Sequence, residues 1–377
     1  MGTRKTKTQE KISNRQLLFI VFIIRATLII ATLPVLTTGH AAQNAWISSI
    51  ITMIASIVVI IAISALSLKF PKMTIVEYSK VLLGKTGGTI MSLGFLWLFL
   101  HIAATDTRIY SEVLADGFLT STPLVVTAGT IVAVSALAVY LGIEVIGRAA
   151  DVLMPVIISF FVLSIVASLS LFDLKNLEPV FAGGITPVIS GTVTPIGISV
   201  QFLSLGLLIP TLTEPEKAVS TSAVAAFLAG LALIVTSVIV VGALGERLSS
   251  SAIFPLFKTS RSTVFTRFLE RLEAPGIAAW GLGLFIDVST FLYCGSKGLS
   301  EVLGVEDYRP LVIPMAVIWI TLSLHTYDDL FELLRLFRPE TFFPYVSIVG
   351  FIPVLILWGA YIIKASSGKL HGLQKHK

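Results

Sequence analysis

The sequence predicts an all-α polytopic membrane protein of about ten transmembrane helices. Three observations predict it. The 377 residues are 55% hydrophobic and only 13% charged, about half the charged share of a soluble domain. The mean hydropathy is +0.92. Apolar runs of about 20 residues, enough to cross a bilayer core as helix, recur from one end to the other. None alternates apolar with polar residues, which excludes a porin-like barrel.

The spans follow in order at roughly 16–37, 45–67, 88–115, 123–142, 149–171, 186–211, 218–242, 274–295, 310–325 and 342–364. The first run is too long for the apolar region of a signal peptide and lacks a small-residue cleavage site, so it reads as a retained span. The ninth is short. Basic tails at 1–15 and 365–377 flank a single membrane domain, 16–364. The net charge of +5 sits mostly at helix flanks, where topology explains it and no nucleic-acid partner is implied. The single cysteine, Cys294, permits no intramolecular disulfide.

Orientation follows from Lys and Arg. With the N-terminus inside, 17 basic residues fall on the inner side and eight on the outer side, leaving Arg25 and Arg108 within spans. Both termini are therefore expected inside. The outer stretch "RSTVFTRFLERLEA" (261–274) carries Val264, Phe265, Phe268, Leu269 and Leu272 at helical spacing. A surface-lying amphipathic helix or a solvated connector fits it.

Ten spans divide as five plus five. An odd number per half makes the second half enter from the opposite side, as in an inverted repeat, here about 16–171 and 186–364. Such folds hold their site at broken helices in matching positions of the halves. Pro34 and Gly39 interrupt the end of span one. In span six the clean apolar part runs only from Pro195 to Ile209, about 22 Å of helix. The Gly-, Thr- and Pro-rich stretch before it is expected to enter the membrane as irregular backbone.

Four ionisable residues lie near mid-span: Arg25, Asp106, Arg108 and Asp287. Each costs about 2.5–3.5 kcal/mol on insertion scales and should face the bundle interior. In span three, His101, Thr105, Arg108 and Glu112 form one stripe, with Asp106 and Tyr110 on a roughly opposite side. Arg108 and Glu112 can pair at i, i+4. Asp106 then needs a partner, and Arg25 is the natural one, with Asp287 as the other candidate partner for Arg25. Two readings stand: an ion relay or anchor for a charged small molecule, or a buried ion pair that fixes helix register. His101 is a proton switch or simply a hydrogen-bonded histidine. The loop "HTYDDLFELLRLFRPE" between spans nine and ten reads as a partner-docking surface or a solvated loop. No phosphate loop, metal cluster or nucleophile elbow occurs, so neither an enzyme nor a cofactor is expected.

Several stretches carry a family resemblance: "KISNRQLLFIVFIIR", "AQNAWISSII", "FPKMTIVEYSKVLLGKTGG" and "RFLERLEAPGIAAWGLGLFIDVSTFLY". The pieces "FP-x-x-T-x-x-E-Y" and "L-G-K-x-x-G" are the most specific. The chain resembles the B subunits of bacterial spore-germination receptors, a branch of the amino acid–polyamine–organocation transporter superfamily. The resemblance implies a nutrient-binding subunit in the spore inner membrane, bound to membrane lipid and working with receptor A and C subunits. It also implies a small ligand such as an amino acid held between spans one, three, six and eight. The alternative is an ion-coupled amino-acid permease on the same fold. The candidate ligand-binding residues are Arg25, Thr27 and Thr32 in span one and Asp106 in span three. Gly191, Thr194, Gly197 and Gln201 in span six and Asp287 in span eight complete the set. One departure matters. Where relatives carry a Gly-x-Gly-type segment before "LP", this chain has Thr27 and Ile29, β-branched residues that resist unwinding. Arg25 is then the candidate to take over the anion contact, unless the ligand is not an ordinary α-amino acid.

Overall fold

The structure, a computed structural model, describes residues 10–31, 33–181, 183–251 and 273–367. Thr32, both outer tails and the apolar residues of 261–272 lie outside the described residues. Long helices fill almost all of the rest. They are α1 (Asn14–Ala31), α2 (Leu33–Ala41), α3 (Ala45–Leu68), α4 (Ile75–Gly117), α5 (Leu124–Leu141), α6 (Ile143–Ser168) and α7 (Thr186–Ile198). After α7 come a 3₁₀ stretch (Ser199–Ser204) and α8 (Leu205–Leu208), then α9 (Ala218–Ser251), α10 (Glu273–Leu303) and α11 (Arg309–His325). The chain closes with α12 (Leu330–Leu336), α13 (Pro339–Val346), a π-helical turn (Ser347–Phe351) and α14 (Ile352–Ser366).

Among the described residues, eight helical stretches are long and apolar enough to cross a bilayer, or nine if α11 and α12, bent by 104°, form one. That tally is of the described residues: it does not include α1, and it counts α2 with α3 as one stretch, Leu33–Leu68. Pro34 occupies the first turn of α2, where its missing N–H costs nothing.

Burial ranks the spans. In their most apolar windows 89% of Thr186–Thr211 and 83% of Pro275–Leu303 is buried, against 22% of Ile143–Leu171 and of Pro339–Ser366. Span six and α10 are therefore the interior, with α1 packed between α9, α10 and α6. Outer helices present Val58, Ile90, Val152, Ile313 and Leu355 outward, as a lipid-facing surface must.

The end of the bundle next to residues 10–13 is closed by specific bonds. The Ile12 amide donates to the Thr211 carbonyl (2.9 Å), and the Thr213 amide returns a bond to Ile12 (3.0 Å). Glu10 accepts from the Ile143 amide (3.1 Å) and pairs with Arg309. Burial pushes the Tyr308 phenol up, which keeps it protonated as a donor to the Val139 carbonyl. Residues 10–13 are thus docked beneath the bundle rather than part of a free tail. Lys364 donates to the Val81 carbonyl (2.8 Å) and Lys80 to that of Glu301 (2.7 Å). Both ends of the described chain accordingly share one side.

The most family-specific segment proves to be architectural. Thr74 and Glu77 form a reciprocal capping box at the start of α4. Gly84, at φ +78° and ψ +168°, kinks α4 in a region that is essentially glycine's own. A Cβ on Gly88 would lie 2.4 Å from the backbone of Lys80.

Gly84→Ala is expected to lower unfolding free energy by about 1–3 kcal/mol, and Gly88→Ala to unfold the kink outright. Unfolding in mixed micelles measures both. Gly87→Ala, whose Cβ meets only Leu83 Cβ at 3.4 Å, should behave as wild type.

Candidate functional site

Span six breaks by a change of winding. Pro195 lacks the N–H that would reach the Gly191 carbonyl. Four residues on, the Ser199 amide donates to Ile196 and Gly197, not to Pro195, as α-helix gives way to 3₁₀. The Pro195 carbonyl is left without a helical donor. Arg25 Nη2 supplies one at 2.8 Å. The expected irregular backbone before Pro195 is not found: residues 186–198 are α-helical, and the break lies just after them. Pro187 starts that helix where its missing N–H is harmless, and Thr192 bonds the Ile189 carbonyl (2.6 Å).

The break bends span six around a small pocket with room for only one or two water-sized particles. Asp106, Thr105 and His101 of α4 line it, with Gln201 and Ile198 of span six and Leu28 of α1. Phe337 and Phe342 close it, 5.1 Å apart between ring centroids. Both nitrogen and oxygen of the Gln201 amide are buried without a partner, as is Asp106 Oδ2. Asp106 was expected on a face away from Thr105, yet both reach this cavity, because it wraps around one side of α4.

The Asp106 carboxyl lies within hydrogen-bonding reach of Asp287 on α10. Asp106 Oδ2 and both Asp287 oxygens have no donor among the described residues. Two facing carboxylates repel strongly in a low dielectric. The pair needs a positive charge beside it: a proton or a cationic ligand group.

Neither Asp pairs with Arg25, which corrects the expected Arg25–Asp106 or Arg25–Asp287 bridge. The helix break offers Arg25 a carbonyl, and its other nitrogen, Nη1, lines a separate cavity with Thr52. The Arg108–Glu112 pair is present at 2.7 Å. Arg108 also donates to the Ser323, Leu324 and Asp328 carbonyls, where the C-terminal end of α11 favours a cation. His101 sits between two phenols, with Nδ1 2.9 Å from Tyr345 and Nε2 2.8 Å from Tyr327.

The other candidate residues serve packing. Thr27 donates to the Ile23 carbonyl (2.8 Å) inside unbroken helix, as its β-branched neighbourhood predicts. Gly191 lets α7 approach Thr37 and Ser48, and Gly197 lies under the Phe342 ring. The Thr194 hydroxyl donates to the Phe337 carbonyl (2.8 Å), tying span six to the lid. Thr32 is outside the described residues.

Sequence reasoning missed the lid. The segment read as a docking or solvated loop, 325–340, forms α12 and the start of α13, and its Leu333 and Phe337 turn inward together with Phe342 of the expected tenth span. Their apolar spacing was the available signal. Length and acidic flanks made it read as a loop.

A family model described as "Spore germination protein" matches residues 11–329. This chain belongs to that spore germination protein family. It is 25% identical over 312 residues to spore germination protein YndE of Bacillus subtilis, covering 82% of this chain and 86% of the relative. Spore germination protein KB of the same organism is 28% identical over 324 residues, 83% of this chain and 84% of that protein. Among solved structures, MhsT in complex with L-phenylalanine superposes with a TM-score of 0.65 at 14% identity, over 94% of this chain and 99% of MhsT. The fold is therefore that of inverted-repeat transporters, and the chain is a multi-pass membrane protein.

A double-mutant cycle of Asp106→Asn and Asp287→Asn should give a coupling above about 0.5 kcal/mol in unfolding free energy. Cycles of Arg25→Gln with either Asp should be additive within about 0.5 kcal/mol.

Proposed function

We propose that this chain is the nutrient-sensing membrane subunit of a germination receptor, binding a small amino acid-like ligand in the cavity under Phe337 and Phe342. One observation carries the reading: a buried pocket holds one carboxylate oxygen, Asp106 Oδ2, and one amide, Gln201, that no group among the described residues satisfies. Buried polar atoms left unpaired are costly, so the site is built for a partner. The ligand ammonium sits against Asp106, supported by Asp287. The Gln201 amide takes a polar group of the ligand, and Leu28, Ile198 and the two phenylalanines enclose its small apolar part. In the closed arrangement the pocket admits only one or two water-sized particles, so an amino acid enters when Phe337 and Phe342 move apart.

Binding reaches the rest of the receptor through the lid. Thr194 ties the broken span to Phe337, and His101 ties α4 to Tyr327 and Tyr345 on either side of α12. A ligand that contacts Asp106 and Phe342 together favours the closed arrangement of these elements. The receptor A and C subunits, in the spore inner membrane, read that arrangement. The relatives' function in germination supports this reading, and the transporter fold supports a ligand at mid-membrane.

Purified protein in lipid nanodiscs should show a saturable rise in melting temperature with at least one small amino acid from a broad panel. Asp106→Ala should abolish it, and Phe342→Ala should weaken it by about tenfold or more, the loss of one buried aromatic contact. A panel without any shift rejects the site. Steady uptake of labelled amino acid by proteoliposomes holding this chain alone assigns it to permeases instead.

A further inference from the structure

The second cavity lies on the opposite side of the broken span and belongs to none of the groups above. It is a small space among Arg25 of α1, Thr52 and Ser56 of α3, Phe202 of the 3₁₀ stretch, and the Ala229–Gly230 step of α9. Arg25 is 3% exposed and Thr52 1%. Both residues line it, and Arg25 Nη1 and Thr52 Oγ1 are buried without a partner among the described residues. Ser56 is already engaged, its hydroxyl 2.8 Å from that of Ser199.

The charge is the stronger clue. Arg25 forms no ion pair among the described residues. Its one bond, to the Pro195 carbonyl, supplies a dipole and no countercharge. A guanidinium cannot shed its proton at any working pH, and an uncompensated charge in a low dielectric is costly. A water molecule would satisfy the two hydrogen-bonding groups and leave the charge. A carboxylate or phosphate is too large, because the space admits the centre of little more than one water-sized particle. Cations are repelled. A monatomic anion meets every requirement: it accepts from Nη1 and from the Thr52 hydroxyl, and it neutralises Arg25.

We propose that Arg25 and Thr52 bind a single halide, chloride in the cell, behind the break in span six. The ion sits against the 3₁₀ segment whose other face carries Gln201. It is a structural partner of the break, separate from the nutrient cavity.

The test uses the full chain in nanodiscs, with sodium chloride exchanged for sodium gluconate at constant ionic strength. Chloride and bromide should raise the melting temperature saturably, while gluconate and sulfate should not. Thr52→Val, which keeps shape and charge, should bind chloride about tenfold more weakly, the equivalent of one lost hydrogen bond. Arg25→Gln should lose the halide response, and if that variant fails to accumulate the valine variant still decides. Equal melting in chloride and gluconate would mean a water-filled cavity and overturn the proposal. A Thr52→Val titration matching wild type would place halide binding elsewhere and overturn it too. Bromide-soaked crystals should give an anomalous peak between Arg25 and Thr52, and its absence counts against the site. These readouts need no nutrient, so they stand or fall apart from the ligand site.

Discussion

The bond between Arg25 and the Pro195 carbonyl joins the two interrupted segments at the centre of the molecule. A proline removes one hydrogen bond from span six, and the shift to tighter winding removes the next. Inside a bilayer no water can repair such a gap. A guanidinium from α1 does so, and it fixes where the 3₁₀ turn can form. The position of Gln201 follows from that turn, as does the approach of Gly197 to Phe342. Thr194, one residue before the proline, then holds the lid. Both cavities are consequences of the same repaired break, one on each face.

The polar groups in this core divide into those that are satisfied and those that are not. Arg108 spends its donors on Glu112 and the carbonyl end of α11. His101 is held between two phenols. Thr27 and Thr194 bond to carbonyls. Besides single serine hydroxyls such as those of Ser111, Ser222 and Ser289, the unpaired groups among the described residues include Asp106, Asp287 and Gln201, and Arg25 and Thr52 beside the other pocket. Buried polar atoms in native proteins are nearly all paired, so these clusters mark where exchangeable partners belong. Opposite signs belong to different pockets: the Asp106 carboxyl lines the one under Phe337 and Phe342, and the Arg25 guanidinium lines the other.

Membership of the spore germination family and likeness to solved transporters speak to different levels. The family's recognisable segment, from Phe70 to Gly88, builds a capped helix, a glycine kink and an inner closure, and takes no part in the cavity. The transporter likeness establishes an architecture that serves many ligands and both sensing and transport. Function must therefore be argued from the cavity residues, which neither comparison specifies.

Most of the fold was legible in the sequence because the bilayer enforces it. Apolar length and the absence of alternation dictated helical spans. Proline and glycine marked span six as interrupted, and the i, i+4 spacing of Arg108 and Glu112 fixed their pairing. These are local rules, acting within a few residues. The sequence also singled out Arg25, Asp106 and Gln201, because charge and amide groups at mid-span demand partners. It could not say which. Whether Arg25 met Asp106, Asp287 or a carbonyl depended on the rotation of α1 against span six, and that is set by packing between residues about 170 positions apart. For the same reason the lid was invisible: the burial of Phe337 and Phe342 comes from a 104° bend after α11, not from their own segment's composition. The tertiary structure decided the partners, the lid and the division into two cavities, since each depends on where helices cross.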